Sequence, residues 1–460
     1  MQQLEDLFTA FATFMWGMPL VVLLVGGGSF LVIYSRFLPY RHFRHSINIL
    51  LGKYDHPDDD GQIPHYQALA TALSGTLGMG NIAGVAVAIT MGGPGAIFWM
   101  WVTAVVGVAT KYYTCTLSIM YRGRDSLGVL QGGPMYMVRE GLGRRWMPLA
   151  ILFCLAGLFG TLPLFQVNQL VQILRDVIAI PAGLASETQH LGFDLAMGVL
   201  IAASVLVVIL GNIQRIGKVT GRLVPAMVGV YFIVTIILLL MHLPAIPAAF
   251  ALIFTDAFSG EAAAGGVIAT VIMMGVRRGA FSNEAGIGTE VMAHGAAKTN
   301  EPVREGMVAM LGPVIDTLIV CTCTALAILV TGVWQGEADG VTLTAQAFET
   351  VFPGIGYYFL TVMVVFLSLS TVITYWYYGS KCLGFLIGAE HQHHYVWIYV
   401  GLIVVAAAAT LEMVINLIDG MFAMMAIPTM TATLLLARKV NAETRRYFRI
   451  HMNEPHGGWD

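Results

Sequence analysis

The chain has 460 residues, of which 57% are hydrophobic and only 11% charged, with a mean hydropathy of +0.75. Soluble domains carry roughly 25% charged residues, so the composition excludes a soluble globular protein, leaves no basic surface for nucleic acid, and indicates a polytopic membrane protein. The net charge of -3 says little by itself, and the five cysteines, all in or beside apolar runs, are expected to be free thiols.

The N-terminus carries Glu5 and Asp6 and no basic residue, so it lacks the charged start of a signal peptide, and the first apolar run is read as a retained span. Runs of roughly 20 apolar residues, the length that crosses a bilayer, lie near 11–34, 66–91, 95–121, 147–180, 193–211, 219–242, 263–290, 306–331, 354–379, 395–413 and 417–437. That is about eleven transmembrane helices in an all-α protein. The fourth run contains Pro163 and is expected to be kinked or to consist of two pieces. Loop charges alternate with this count. Of the 24 Lys and Arg, all but Lys111, Arg175, Arg277 and Arg278 fall in loops on one side or in the tail. Basic loops face the cytoplasm, so the N-terminus is expected outside and the C-terminus inside, in the cell inner membrane.

The second span is interrupted by Ser74-Gly75-Thr76-Leu77-Gly78-Met79-Gly80-Asn81. Each glycine costs roughly 1 kcal/mol relative to alanine in a helix interior, and an unwound backbone inside a membrane is expected to survive only where it lines a cavity whose occupant, an ion or polar solute, completes its hydrogen bonds. The stretch therefore predicts a broken helix at a ligand site, against the alternative that Gly80 and Gly84 merely allow close helix packing. Spans 2 to 6 and spans 7 to 11 each contain five helices, an odd number, so the second set would run opposite to the first as a 5+5 inverted repeat. Span 7 supplies a matching interruption at 274–288, and paired interruptions in corresponding positions mark secondary transporters. The boundaries expected are one transporter domain over 1–460: an extra N-terminal span at 11–34, a first repeat at 66–242, a second at 263–437 and a polar cytoplasmic tail at 438–460. The two breaks are expected to face one cavity.

A small zwitterion and a cation need opposite helix ends. The half-helix that begins near Gly80 and Asn81 exposes free amides and the positive end of its dipole, suited to a carboxylate. Carbonyls freed around 275–279 could accept from an ammonium group, and Gly75, Gly78, Gly80, Gly275 and Gly279 would let backbone approach the ligand. Ser370 and Thr371 offer hydroxyl oxygens to a hard cation, unless they bond back to their own helix. Asn81 is a candidate for a second cation or for the substrate.

On Gly78-Met79-Gly80-Asn81-Ile82-Ala83-Gly84-Val85-Ala86, Gly92-Gly93-Pro94-Gly95-Ala96-Ile97-Phe98-Trp99-Met100-Trp101, Phe281-Ser282-Asn283-Glu284-Ala285-Gly286 and Gly312-Pro313-Val314-Ile315-Asp316-Thr317, the chain resembles the alanine or glycine:cation symporters, sodium-coupled amino-acid carriers with a leucine-transporter-like fold. The resemblance covers nearly the whole chain. It implies sodium-coupled symport of alanine, glycine or a similarly small neutral amino acid by alternating access, with no cofactor beyond the coupling ion. By analogy with that fold, Ser370 and Thr371 would join the carbonyls of Ser74 and Leu77 around sodium. Gln166, aligned with a Gln-x-Asn of the family, would contact substrate, while Asn168 stays open between substrate and interhelical bonding. The sequence departs from the family in having Met79 where many members have Thr, and Tyr375 where a Trp follows the Ser-Thr pair, both positions expected near substrate. A proton-coupled or differently selective symporter is the alternative.

Charges at membrane depth are functional candidates by default. Arg277 and Arg278 are expected to pair with Glu284 across the second break, Asp316 is a candidate cation ligand, Lys111 is expected to snorkel, and Glu412 to lie near water. The His391-Gln392-His393-His394 run reads as solvated loop. A channel would need continuous rings of charge or carbonyls, and an enzyme a nucleophile beside a base; the chain has neither pattern. The oligomeric state has no signature in the sequence.

Overall fold

The computed structural model describes residues 2–209, 213–259 and 268–451. Short turns aside, the helices are α1 (Gln2–Met15), α2 (Met18–Tyr34), α3 (Phe43–Leu50), α4 (His65–Thr76), α5 (Met79–Gly92), α6 (Ala96–Met120), α7 (Met147–Gly160), α8 (Leu164–Leu174), α9 (Leu191–Ile209), α10 (Ile213–Met241), α11 (Ile246–Ser259), α12 (Ile268–Asn283), α13 (Glu290–His294), α14 (Pro302–Thr331), α15 (Gly340–Val351), α16 (Gly356–Ile387), α17 (Tyr395–Ala407) and α18 (Leu411–His451). Among the described residues the only sheet is a two-stranded antiparallel ribbon, Gly123–Arg124 against Leu130–Gln131.

Six helical segments are long and apolar enough to cross a membrane, namely α4 with α5, α7 with α8, α10, α14, α16 and α18, and α1 with α2, bent by 49° at a short break, would make a seventh. The bend follows Gly17 and precedes Pro19, which lacks the amide that a continuous helix would use. Burial sorts the helices into a centre and a periphery. The apolar window of His65–Gly92 is 100% buried and that of Ile213–Met241 only 33%, so the broken helix lies in the core while α10 turns Val230, Ile233, Ile237 and Leu240 outward, as lipid contact requires. The chain is a multi-pass membrane protein.

Run 147–180 is two helices, α7 and α8, separated at Thr161–Pro163, as its proline leads one to expect. Other expectations change. Helices α11 and α15, which lie between expected spans, did not register as apolar runs of full length. The polar tail is helical through His451 because Tyr112 and Tyr113 of α6 bond Thr444 and Asn441, and Arg446 pairs with Glu301. The end of run 193–211, the start of run 263–290 and the tail beyond His451 lie outside the described residues. Lys111 does not snorkel; it is buried on α6, with its ammonium against Gly312 of α14.

Candidate functional site

The first break is real but short. Helix α4 ends at Thr76, Leu77 (φ -75°, ψ 82°) and Gly78 (φ -145°, ψ -142°) leave helical geometry, and α5 restarts at Met79. Asn81 closes the new end: its Oδ1 accepts the Gly78 amide at 3.0 Å, meeting one of the donors that a helix start leaves open. Gly78 has a spatial reason to be glycine, since a Cβ there would stand 2.4 Å from Thr371 Oγ1 of α16.

Helix α16 crosses the break with a row of hydroxyls. Thr371 Oγ1 donates to Ser74 O at 2.9 Å or to its own Leu367 O at 3.0 Å, Ser74 Oγ donates to Ser370 O at 2.9 Å, and Thr374 Oγ1 to Ser74 Oγ at 3.0 Å. Leu77 O accepts no backbone hydrogen bond among the described residues. Ser74, Leu77 and Thr371 are thus brought together as oxygen donors. The Ser370 hydroxyl instead bonds back to Leu367 O at 2.9 Å, the ordinary behaviour of a serine inside a membrane helix, while its carbonyl faces Ser74. Leu367 and Thr374, absent from the sequence reading, belong to the same cluster; a periodicity count along α16 from Thr371, at i-4 and i+3, would have found them.

The second break is displaced. Residues 274–283 form regular helix at the end of α12, and unwinding is confined to Glu284–Thr289, where Glu284 (φ 55°), Gly286 (φ 84°) and Gly288 (φ 102°) take left-handed backbone before α13. Gly275 and Gly279 are therefore not sources of free carbonyls for an ammonium group. They are packing glycines: a Cβ on Gly275 would lie 2.4 Å from Ala96 O, and one on Gly279 2.0 Å from Thr103 Oγ1, so α12 and α6 touch through their backbones. Glu284 holds the unwound stretch by accepting from Thr289 Oγ1 and, at 2.5 Å, from the Tyr375 hydroxyl. Tyr375 is thus a fully buried tie between α16 and the second break, and its hydroxyl is engaged within the protein.

Beside the breaks, α5 and α12 meet in direct contact rather than across a cavity. Gly80 packs on Phe281 and Ser282, where an added Cβ would find both at 3.4 Å. Asn81 Nδ2 reaches Asp316 Oδ1 at 2.6 Å and Ser282 Oγ at 3.3 Å, and Asp316 Oδ2 accepts from Ser282 Oγ at 2.8 Å and Thr317 Oγ1 at 2.6 Å. Asp316 sits in a π-helical turn of α14, Val314–Cys321, a distortion common where a helix turns a side chain toward a site. All four residues are buried. A small cavity of about 10 Å³ touches Leu77, Asn81 and Leu367. Asn81 and Ser282, one from each broken helix, thus share the Asp316 carboxylate, which ties α5, α12 and α14 together.

Gln166 lies in the first turn of α8, just after the Pro163 break. It is buried, and its Oε1 has no hydrogen-bond partner, whereas Asn168 donates to Ala409 O at 2.7 Å as an interhelical tie. The neighbouring Phe165 packs edge-on against Phe281, with ring centroids 5.2 Å apart, so α8 borders the junction of the breaks. Met79 is fully buried.

Arg277 and Arg278 do not pair with Glu284. Both reach Asp419 of α18, Arg277 Nε at 2.5 Å, and Arg277 Nη2 also donates to Asn416 Oδ1 at 3.1 Å. Residues preceding Glu284 on one helix point away from it once the chain unwinds there, and α18 presents the only acid facing both guanidinium groups among the described residues. Asp419 was missed because it falls at the margin of an apolar run. Above this pair opens a cavity of about 440 Å³, lined in part by Thr9, Thr90, Asp339, Glu412 and Asn416, which agrees with Glu412 lying near water.

The family model of the sodium:alanine symporters matches residues 1–456. The chain is similar to the sodium/alanine symporter AgcS of Methanococcus maripaludis, with 40% identity over 96% of this chain and 97% of that protein. It is also similar to the probable sodium/glutamine symporter GlnT of Bacillus subtilis, at 30% identity over 98% and 92%. In structure it is similar to MhsT in complex with L-phenylalanine, with a TM-score of 0.57 and 12% identity over 84% of this chain and 99% of that one, a likeness of fold. The chain belongs to the sodium:alanine symporter family, and its relatives are transporters rather than enzymes.

Proposed function

We propose that the protein carries a small neutral amino acid, alanine or glycine, together with sodium across the cell inner membrane by alternating access. The observation that carries this reading is the first break, where the Ser74 carbonyl and the Thr371 hydroxyl of the crossing α16 stand 2.9 Å apart beside Leu77. Sodium would sit among the carbonyls of Ser74, Leu77 and Leu367 and the hydroxyl of Thr371, an all-oxygen set suited to a hard cation, with Ser370 acting through its backbone. Asp316, held by Asn81, Ser282 and Thr317, would supply the buried negative charge for a second cation. The substrate carboxylate would lie at the start of α5, near Gly78, Met79, Gly80 and Asn81, and the Gln166 amide oxygen, unpartnered within the protein, would accept from its ammonium group. The Asp419 pair with Arg277 and Arg278 would close the path from the larger cavity.

Eleven spans, arranged as one N-terminal helix and a 5+5 inverted repeat with the N-terminus outside, fit the loop charges and the positions of the two breaks. The test is counterflow in proteoliposomes with a panel of labelled amino acids, under a sodium gradient and separately under a proton gradient. Uptake of alanine or glycine driven by sodium alone is expected. Uptake driven only by protons, or preference for glutamine, would replace this reading with a proton-coupled or differently selective carrier.

A further inference from the structure

Away from the junction of the breaks, a second buried polar cluster joins the far ends of the same two broken helices. His65, the first residue of α4, directs Nδ1 to Glu305 Oε2, and His294, the last of α13, directs Nδ1 to Glu305 Oε1 at 2.5 Å. All three side chains are within 1% of complete burial. An ionised carboxylate only accepts hydrogen bonds, so both histidines must donate from Nδ1, which leaves both Nε2 atoms as bare acceptors. Both are buried without a partner. With both rings neutral, the cluster would carry one uncompensated negative charge, a costly state away from water. One proton on His65 Nε2 would make it neutral, and Asp55 Oδ1 stands 4.0 Å from that atom, close enough to favour the added charge.

The same end is sewn by backbone. Ile63 and Ala297 form a parallel bridge, Gln62 N donates to Ala296 O at 2.9 Å, Lys298 N donates to Ile63 O at 2.7 Å, and Arg122 caps the carbonyls of Gly295, Ala297 and Thr299. Helix α4 cannot swing away from α13 without parting either His65 or His294 from Glu305.

We propose that His65, Glu305 and His294 form a proton-binding latch: a proton taken from water onto His65 Nε2 holds α4 against α13 and α14, and its release to water accompanies opening at this end. This rests on the alternating-access reading above. Since the closed form holds the proton, acid favours closure, by at most tenfold per pH unit for one proton.

Other titratable groups surround the latch. They are Asp55, Asp59 and Asp60 in the preceding loop, His45 on α3, Lys111 and Cys115 on α6, Arg122 beyond it, Glu290 on α13 and Arg304 on α14, while Lys218 and Arg222 lie beside the contact of α10 with α4. Burial, with His42, Arg304 and His451 adding to it, pushes His45 down to about 4, so His45 stays neutral across the range that matters. His42 and His451, the latter meeting Glu301 at 3.1 Å, are the other histidines near His45.

The test is amide hydrogen exchange of residues 60–76 in the full-length protein, corrected for intrinsic exchange, at about pH 5.5 and about pH 8, the window in which histidine titrates. Wild type is expected to open roughly tenfold less at the acid end. A His65→Gln, His294→Gln double variant should lose the difference, and His451→Gln should keep it. A flat wild-type profile, a double variant that retains the difference, or its loss in His451→Gln would each overturn the latch; if the double variant does not fold, the wild-type profile and His65→Gln alone decide. Sodium-driven counterflow on the same samples separates the two readings, because transport with a flat profile defeats only the latch.

Discussion

Replacing Thr371 with Ala removes one hydroxyl that bonds the Ser74 carbonyl at 2.9 Å and the Leu367 carbonyl at 3.0 Å. As a neutral hydrogen bond the loss is worth about 1 kcal/mol of stability. As a ligand to a cation it is worth more, since interactions with charged groups run at about 1.5–3 kcal/mol. At roughly 1.4 kcal/mol per factor of ten, the lower end raises the sodium concentration for half-maximal uptake about tenfold, and a water entering the gap keeps the effect near that end. The assay is labelled alanine uptake into proteoliposomes against external sodium, at equal reconstituted protein. Thr371→Val keeps the shape without the hydroxyl and should behave as Thr371→Ala, while Thr371→Ser should restore most of the sodium response. If Ala and Val leave the sodium half-saturation unchanged, or if Ser is as impaired as Ala in a folded protein, the oxygen cluster is structural and sodium binds elsewhere.

Asp419→Asn leaves Arg277 and Arg278 without their shared anion and should cost about 3–5 kcal/mol, seen as a large fall in thermal stability in detergent; Arg277→Gln should cost clearly less, because Arg278 keeps its partner, and equal losses would refute the pairing. Gly279→Ala forces a methyl to within 2.0 Å of Thr103 Oγ1, an overpacking cost of about 1–3 kcal/mol, whereas Gly229→Ala, inside α10 with open space around it, should hold or raise the melting temperature through helix propensity; matched effects would mean that α12 and α6 do not touch as described. Met79→Thr removes buried methylene contacts worth about 0.8 kcal/mol each and should shift the ratio of glycine to larger amino acids a few-fold in competition uptake; identical profiles would place the Met79 side chain away from the ligand.

The first break was legible because its cause is local. Gly75, Gly78 and Gly80 weaken the helix wherever they stand, and the chain unwinds within that stretch, at Leu77 and Gly78. The second was placed several residues early because Gly275 and Gly279 look the same in sequence whether they unwind a helix or let it approach a neighbour. What separates the two uses is α6, whose Ala96 and Thr103 occupy the space a Cβ would need. The Ser370 and Thr371 hydroxyls were equally indistinguishable on paper, and the crossing of α4 assigned one outward and one to its own helix.

By itself the amino-acid sequence determined the class of protein, the two interruptions and the presence of buried charge, because hydropathy, glycine content and charge are properties of a residue or a short window. Only the tertiary structure decided the partners. Asp419 lies more than 130 residues from Arg277 and Arg278, Tyr375 lies 91 from Glu284, and Glu305 lies 240 from His65. A buried charge must be paired somewhere, and which acid meets which base depends on how the helices cross.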